Sequence, residues 1–175
     1  MASFTERMIR AAKLDPAIYE EVEADQSAMG QAMGVVVLSS LAYGIAAITS
    51  IGVMGLIFGT IFALIGWFIW AFITYFVGTK ILPEEQTEAD YGQLLRTIGF
   101  SSSPGIIRIL GIIPGLFNIL NLVASVWMLI AMVIAVRQAL DYKGTGRAVG
   151  VVIIGWIIQV AVVALLFMLT GVKMS

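Results

Sequence analysis

The 175-residue chain contains no cysteine and no histidine, and only 12% of its residues are charged. Without cysteine there is no thiolate nucleophile, no disulfide and no palmitoylation site. Without histidine there is no imidazole to pair with a serine in hydrolysis or to ligate zinc. Soluble domains average roughly a quarter charged residues, whereas here 60% are hydrophobic and the mean hydropathy is +1.00. The main solvent of this chain is therefore lipid. Its eighteen glycines fit that environment, because small residues let helix backbones approach closely in a bilayer.

The few charges mark out the crossings. No charge occurs between Asp25 and Lys80, an interval far longer than the ~20 residues one crossing needs. Hydroxyls and glycines interrupt it at Thr49–Gly55, so one helix is expected near 29–48 and a second near 56–78, joined by a short outer turn. Two later uncharged runs, Arg108 to Arg137 and Arg147 to Lys173, each hold one span, near 115–138 and 148–171. The segment 92–113 is harder to read. Arg96 and Arg108 bracket Thr97–Ile107, with Ser101, Ser102, Ser103 and Pro104 in the middle. At ~1.5 Å per residue that interval covers ~16 Å, so a crossing requires both arginines to snorkel toward opposite interfaces; otherwise the segment re-enters.

The distribution of basic residues favours a crossing. With five spans, Arg7, Arg10, Lys13, Lys80, Arg96, Arg137, Lys143 and Arg147 lie on the cytoplasmic side, and only Arg108 and Lys173 lie outside. The expected fold is an all-α integral membrane bundle of five transmembrane helices, N-terminus inside and C-terminus outside. Residues 1–28 form a cytoplasmic tail and 29–172 the transmembrane domain. The tail is charged throughout and has no apolar central region, so no secretory cleavage pattern is expected.

Within the tail, Phe4, Met8, Ile9, Ala11 and Ala12 fall on one side of a helical wheel, and Glu6, Arg7, Arg10 and Lys13 on the other. This predicts a short amphipathic helix lying on the membrane. Asp15 and Pro16 suit the cap and first position of a second helix, which runs on through Glu20, Glu21 and Glu23.

Three stretches carry a family resemblance: Phe4 to Val22; Tyr91 to Pro114 with Gly99, Phe100 and Pro104; and Ser125-Val126-Trp127 through Arg137-Gln138-Ala139-Leu140. Together they resemble the Yip domain family of polytopic membrane proteins, named for interaction with Ypt/Rab GTPases. The resemblance implies a five-helix bundle with a cytoplasmic N-terminus. Eukaryotic members act in vesicle traffic at Golgi and endoplasmic reticulum membranes and bind prenylated GTPases. This chain has a short tail and lacks the Asp-Leu-Tyr-Gly-Pro type motif before its first span. It is more similar to prokaryotic members, which implies a multi-pass protein of the inner membrane, and Rab binding is not carried over.

All eleven carboxylates lie in the tail or in the connections. Proton-coupled and many sodium-coupled transporters need a carboxylate at membrane depth, as do intramembrane aspartyl proteases, so these classes are disfavoured. No catalytic residue, cofactor site or metal site is expected. The acidic run Pro83–Asp90 reads as a solvated connection, since nothing in it resembles a ligand loop. The small-residue pairs Gly30/Gly34, Gly55/Gly59, Gly111/Gly115 and Gly146/Gly150 read as close helix contacts within the monomer.

The most suggestive constellation is a polar break in the third span. Pro104 removes a helical hydrogen bond and the preceding hydroxyls can cover the freed carbonyls. Arg96, Ser101, Ser102, Ser103, Pro104 and Arg108 form this candidate notch, with Asn118, Asn121 and Gln159 facing it from later spans. One reading is a pocket for a small solute or a lipid headgroup. The other, given more weight, is interhelical hydrogen bonding worth ~0.6 kcal/mol per contact, with arginines anchored at lipid phosphates. The expected function is a non-enzymatic membrane organiser or adaptor in membrane trafficking or homeostasis. Its partners are the lipid bilayer and other membrane proteins or a homo-oligomer. The alternative is a small oligomeric transporter or channel, or an accessory subunit of a larger membrane complex.

Overall fold

The computed structural model describes residues 2–170; Lys173 and residues 171–172, expected at the end of the last span, lie outside the described residues. Those described form helices and connections with no strand. The chain opens with α1 (Phe4–Ala12) and α2 (Pro16–Ala24). The corner between them follows from local chemistry: Leu14 takes a positive φ of 63° and Asp15 accepts from the Ala17 N–H at 3.0 Å, with Pro16 opening the next helix. A short 3₁₀ turn (Gln26–Ala28) leads into α3 (Met29–Ala46). Then come α4 (Ile48–Phe76), which continues into a π-helical turn (Val77–Ile81), α5 (Tyr91–Ser101), a 3₁₀ segment (Ser103–Ile112), α6 (Phe117–Ala139) and α7 (Thr145–Thr170). Among the described residues, four helical stretches are long and apolar enough to cross a membrane: Gln26–Ala46, Ile48–Ile81, Phe117–Ala139 and Thr145–Val162.

The turn between the first two is very short. Ala47 separates α3 from α4, and Gly52, at φ +64° and ψ −179°, breaks the first turn of α4 from the rest. Only glycine adopts that conformation without a steric penalty. It is this residue that lets the chain reverse within so few positions.

A composite pass completes the bundle. The neighbours of its glycines show that α5 and the 3₁₀ segment run parallel to α3 over its whole length. Gly92 lies beside Met29, Gly99 against Ala32, Gly105 against Ser39 and Gly111 against Ala46. Neither half is long enough alone. A 3₁₀ helix rises ~2.0 Å per residue, so its ten residues add ~20 Å to the ~16 Å of α5, and together they match a hydrocarbon core of ~30 Å. Over Thr97–Ile107 itself the change of pitch adds only ~2–3 Å to the ~16 Å of an α-helical rise. The pass gains its length by running beyond both arginines, whose side chains bind groups of the protein rather than extending to the interfaces.

Pro104 explains the change of pitch. In a continuing α-helix the Phe100 carbonyl would accept from residue 104, which as proline has no N–H. The Ser103 hydroxyl donates to that carbonyl instead at 2.7 Å, and the Ser101 hydroxyl donates to Ile98 O at 2.7 Å. Such backbone is tolerated at membrane depth because α3 and α6 pack on either side of it.

The connections gather at two ends. At one, the Leu140–Lys143 turn is tied to the 82–90 connection: Gln86 donates to Asp141 O at 2.9 Å, Thr87 to Leu140 O at 3.1 Å, and the Lys143 N–H to Glu84 at 3.1 Å. The Tyr142 hydroxyl donates to Leu82 O at 2.8 Å in the same place. The Ala47–Gly52 turn and the Ile113–Leu116 connection lie at the other end, where Gly111 meets Ala46 and Tyr43 meets Phe117. α7 runs antiparallel to α4, with Gly150 near Leu82 and Gly155 near Trp70 and Ile73. Exposed apolar side chains such as Phe62 and Phe72 on α4, Leu122 and Leu129 on α6, and Ile153 and Trp156 on α7 give the outer surface a lipid-facing character.

The N-terminal hairpin is part of this body. α2 packs on α5 and α6, and α1 on α5 and the 3₁₀ segment. The helical wheel places Arg7 on a solvated face, but its side chain is 2% exposed. It binds Glu21 at 3.0 Å and Asp25 at 2.8 Å, and donates to Gln31 at 3.1 Å, which joins α1, α2 and α3 through one guanidinium. A wheel sorts residues by polarity and cannot register that the carboxylates of the next helix will fold over one of them. Trp127 adds a further tie by donating its indole N–H to Ala12 O at 2.8 Å.

Candidate functional site

The two arginines of the third pass are built into different surroundings. Arg96 lies on α5, whose start is fixed by a capping box: Asp90 accepts from the Gln93 N–H at 2.8 Å and Gln93 accepts from the Asp90 N–H at 2.6 Å. From there the Arg96 side chain, 5% exposed, reaches the end of α2. Its Nε donates to Val22 O at 2.9 Å and Glu23 O at 3.1 Å, and Nη2 also donates to Glu23 O. The last carbonyls of a helix have no partner within it and carry the negative end of its dipole, so a buried cation there is doubly accommodated. Beside it, burial pushes the Glu23 carboxyl up to about 7; Asp141 reinforces the rise and Arg96 opposes it.

Arg108 lies on the 3₁₀ segment and points into the bundle. Its Nη2 donates to Ser125 Oγ at 3.0 Å, and the Ser125 hydroxyl itself donates to Asn121 O at 2.7 Å. The guanidinium carbon stands 5.8 Å from the centroid of the Tyr43 ring. The buried Nε has no hydrogen-bond partner. Ser125 is eight residues into α6, ~12 Å along its axis. Arg108 is therefore held within the bundle and does not extend to its outer end.

Three cavities meet at Arg108. The largest, about 630 Å³, lies between α6 and α7 and is lined by Trp70, Met128, Met132, Trp156 and Gln159 among others. A second, about 280 Å³, extends toward α3 and α4 past Ser39, Ser40 and Ser102. The third, about 390 Å³, lies between α3 and α4 beside Tyr43, Gly44, Gly55 and Gly59. Of the residues singled out from sequence, Ser102, Arg108 and Gln159 share these walls. Ser101 and Ser103 are committed to backbone carbonyls, Pro104 is buried behind them, and Arg96 belongs to the α2 contact. Asn118 is exposed, and the Asn121 carbonyl acts through Ser125.

Ser39, Ser40, Tyr43 and Ser125 complete the polar lining, and sequence reasoning did not select them. A lone hydroxyl in an apolar span carries no signal of its own; only the register of α3 and α6 against the third pass brings these groups together. Trp67 and Trp70 similarly serve the interior. Trp67 donates to Leu95 O at 3.0 Å, and Trp70 Nε1 lies 3.0 Å from Met132 Sδ. Among the described residues no group of His, Cys, Asp or Glu side chains is arranged to hold a metal ion.

These features define a polytopic helical membrane protein with a charged, cross-tied end and an arginine-centred interior. The family is given by a match to the Yip1 domain model over residues 17–167, and the chain belongs to that family. Comparison with curated proteins and with solved structures brings no match.

Proposed function

We propose that this Yip1-domain protein is a non-enzymatic membrane organiser or adaptor, whose partner-facing surface is the charged end of the bundle. The observation that carries this reading is the cross-tying of that end. Three segments far apart in sequence are joined there by Gln138 donating to Glu20 at 2.7 Å, by the Arg147–Glu84 pair at 3.3 Å, and by the Arg7 cluster. A platform of this kind holds its surface in one shape, and so avoids part of the ordering cost of association. The spans carry no carboxylate among the described residues, which leaves ion coupling without a titrating group. Residues 1–28 form the tail of this platform and 29–172 its membrane anchor, in a prokaryotic-type cytoplasmic (inner) membrane with the platform in the cytoplasm.

The test is photo-crosslinking in native membranes from positions on the platform, Glu20 and Glu85, with Leu122 on the lipid face as the control. A discrete partner captured from the platform positions alone supports the adaptor. Saturable solute flux by the purified protein in liposomes, lost on Arg108→Ala, replaces it with the transporter reading. Orientation is read separately by cysteine labelling, which the absence of native cysteine makes clean. Gly144→Cys should react from the cytoplasmic side and Ser50→Cys from outside; Ser50 is used because Gly52 needs its positive φ.

A further inference from the structure

We propose that Arg108 and the cavities around it form a binding site for an anionic membrane lipid, with the phosphate on the guanidinium and an acyl chain in the space between α6 and α7. The first ground is charge. α3 through α7 contain no carboxylate within their described residues, so this half-buried cation has no counter-ion in its own bundle. Its protein partners are one hydroxyl and the face of one ring, and its Nε is left without an acceptor. A cation at membrane depth is costly unless paired, and a phosphate matches a guanidinium fork with two parallel hydrogen bonds.

The second ground is the shape and lining of the space. A cavity of about 630 Å³ is of the size that encloses a substantial part of a small ligand. Met128, Leu129, Met132, Val152 and Ile153 give it an apolar wall, with Arg108, Ser125 and Gln159 as polar points. An inorganic anion would surrender its hydration to sit among methyl and thioether groups, whereas a lipid brings a chain that fills them. The third ground is access. Leu129, Ile153 and Trp156 line the cavity and are also exposed on the lipid-facing surface, so the opening faces the bilayer. Methionine at the wall suits chains of varied length and unsaturation, because its side chain adapts its shape.

The experiment uses the full chain purified in nonionic detergent and titrated with dioctanoyl phosphatidylglycerol, dioctanoyl phosphatidylcholine or inorganic phosphate. Thermal unfolding midpoints and lipid retention in native mass spectrometry are read in parallel. Phosphatidylglycerol should raise the midpoint and be retained at one molecule per chain, while phosphatidylcholine and phosphate have little effect. Loss of a charge-assisted contact in Arg108→Gln should weaken the lipid about tenfold. Leu129→Trp, which fills the apolar space and leaves the cation in place, should weaken it as well, and it decides the matter if Arg108→Gln does not fold. Equal binding of phosphatidylcholine overturns the anionic preference, and an equal shift from inorganic phosphate overturns the lipid source. Unchanged retention in Arg108→Gln, or in Leu129→Trp, overturns the site.

Discussion

Arg96 and Arg108 occupy the two halves of one pass, and their surroundings differ in what supplies the counter-charge. On the α-helical half, the end of α2 folds back and presents carbonyl oxygens to Arg96, so the cation is satisfied by backbone alone. On the 3₁₀ half the last turn of α3 lies close to Arg108 but presents the Tyr43 ring and not its carbonyl oxygens, and the side chain finds only that ring and Ser125. The spans carry no acids, so a helix C-terminus is the strongest anion equivalent the bundle can offer. Where the fold turns those carbonyls onto the guanidinium, the arginine becomes a fastener. Where it does not, the arginine keeps binding capacity for something that is not protein.

Replacing each arginine in turn tests that division most strongly. Arg96→Leu should leave the Val22 and Glu23 carbonyls buried without a donor and release α2 from α5, at a cost on the order of 3 kcal/mol. Arg108→Leu removes an incompletely paired cation from an apolar setting, and its stability should stay within about 1 kcal/mol of the parent or rise. Thermal unfolding of both variants in the same lipid-free detergent reads the difference. Equal losses would mean that the two sites are fastened alike.

The glycines that seat the two halves on α3 offer a second contrast. A Cβ at Gly99 would stand 2.7 Å from Ala32 Cβ and 3.1 Å from the Ala32 carbonyl oxygen, so a backbone must move. At Gly105 the nearest atoms are the Ser39 hydroxyl at 2.0 Å and Met128 Sδ at 2.8 Å, both on side chains that can turn away. Gly99→Ala should therefore cost about 2 kcal/mol and Gly105→Ala about half of that. The reverse order, measured by the same unfolding assay, would place the rigid seam on the 3₁₀ half.

Much of the fold was legible because it rests on chain-local rules. Charge-free runs mark apolar helices, Asp15 with Pro16 marks a helix start, and the glycine-rich interval around Gly52 marks a reversal. The third pass resisted because Arg96 and Arg108 were taken as its ends, whereas both lie inside it and are held by groups of the protein. Arg7 and Arg96 were misplaced for one shared reason: both are satisfied by groups from other segments, Glu21, Asp25 and Gln31 for Arg7 and the end of α2 for Arg96, and no periodicity within a segment reveals what a neighbouring helix will present. Of the candidate notch, Ser102, Arg108 and Gln159 converge, whereas Ser39, Tyr43 and Ser125 were invisible until α3 and α6 were in register with them.

A finer test concerns the break itself. Ser103→Ala leaves the Phe100 carbonyl without the hydroxyl that replaces the proline's missing N–H, and should cost about 1 kcal/mol. Ser102 lines a cavity and holds no such backbone bond through its side chain, so Ser102→Ala should be close to neutral. If both are neutral, the 3₁₀ segment is held by α3 and α6 rather than by its own hydroxyls.

The smallest expected effect comes from pH and returns to the fastened half. Glu23 is displaced to about 7 chiefly because its carboxyl is withdrawn from water. A carboxyl whose pKa is raised on folding binds its proton more tightly in the native state. Its contribution is therefore full below the ordinary carboxylate range, near 4.3, and is lost as pH rises through about 7. The group retains part of its solvent contact, so the effect should be about 1 kcal/mol or less. The unfolding midpoint of the parent should fall between pH 5 and pH 8 by more than that of Glu23→Gln, which cannot ionise. Because Arg96 opposes the rise, a conservative Arg96→Lys that keeps the charge should preserve the window, whereas Arg96→Gln, which keeps N–H donors for the α2 carbonyls but no charge, should move it upward. A window unmoved by the loss of that charge would show that Arg96 acts on the end of α2 through hydrogen bonds alone.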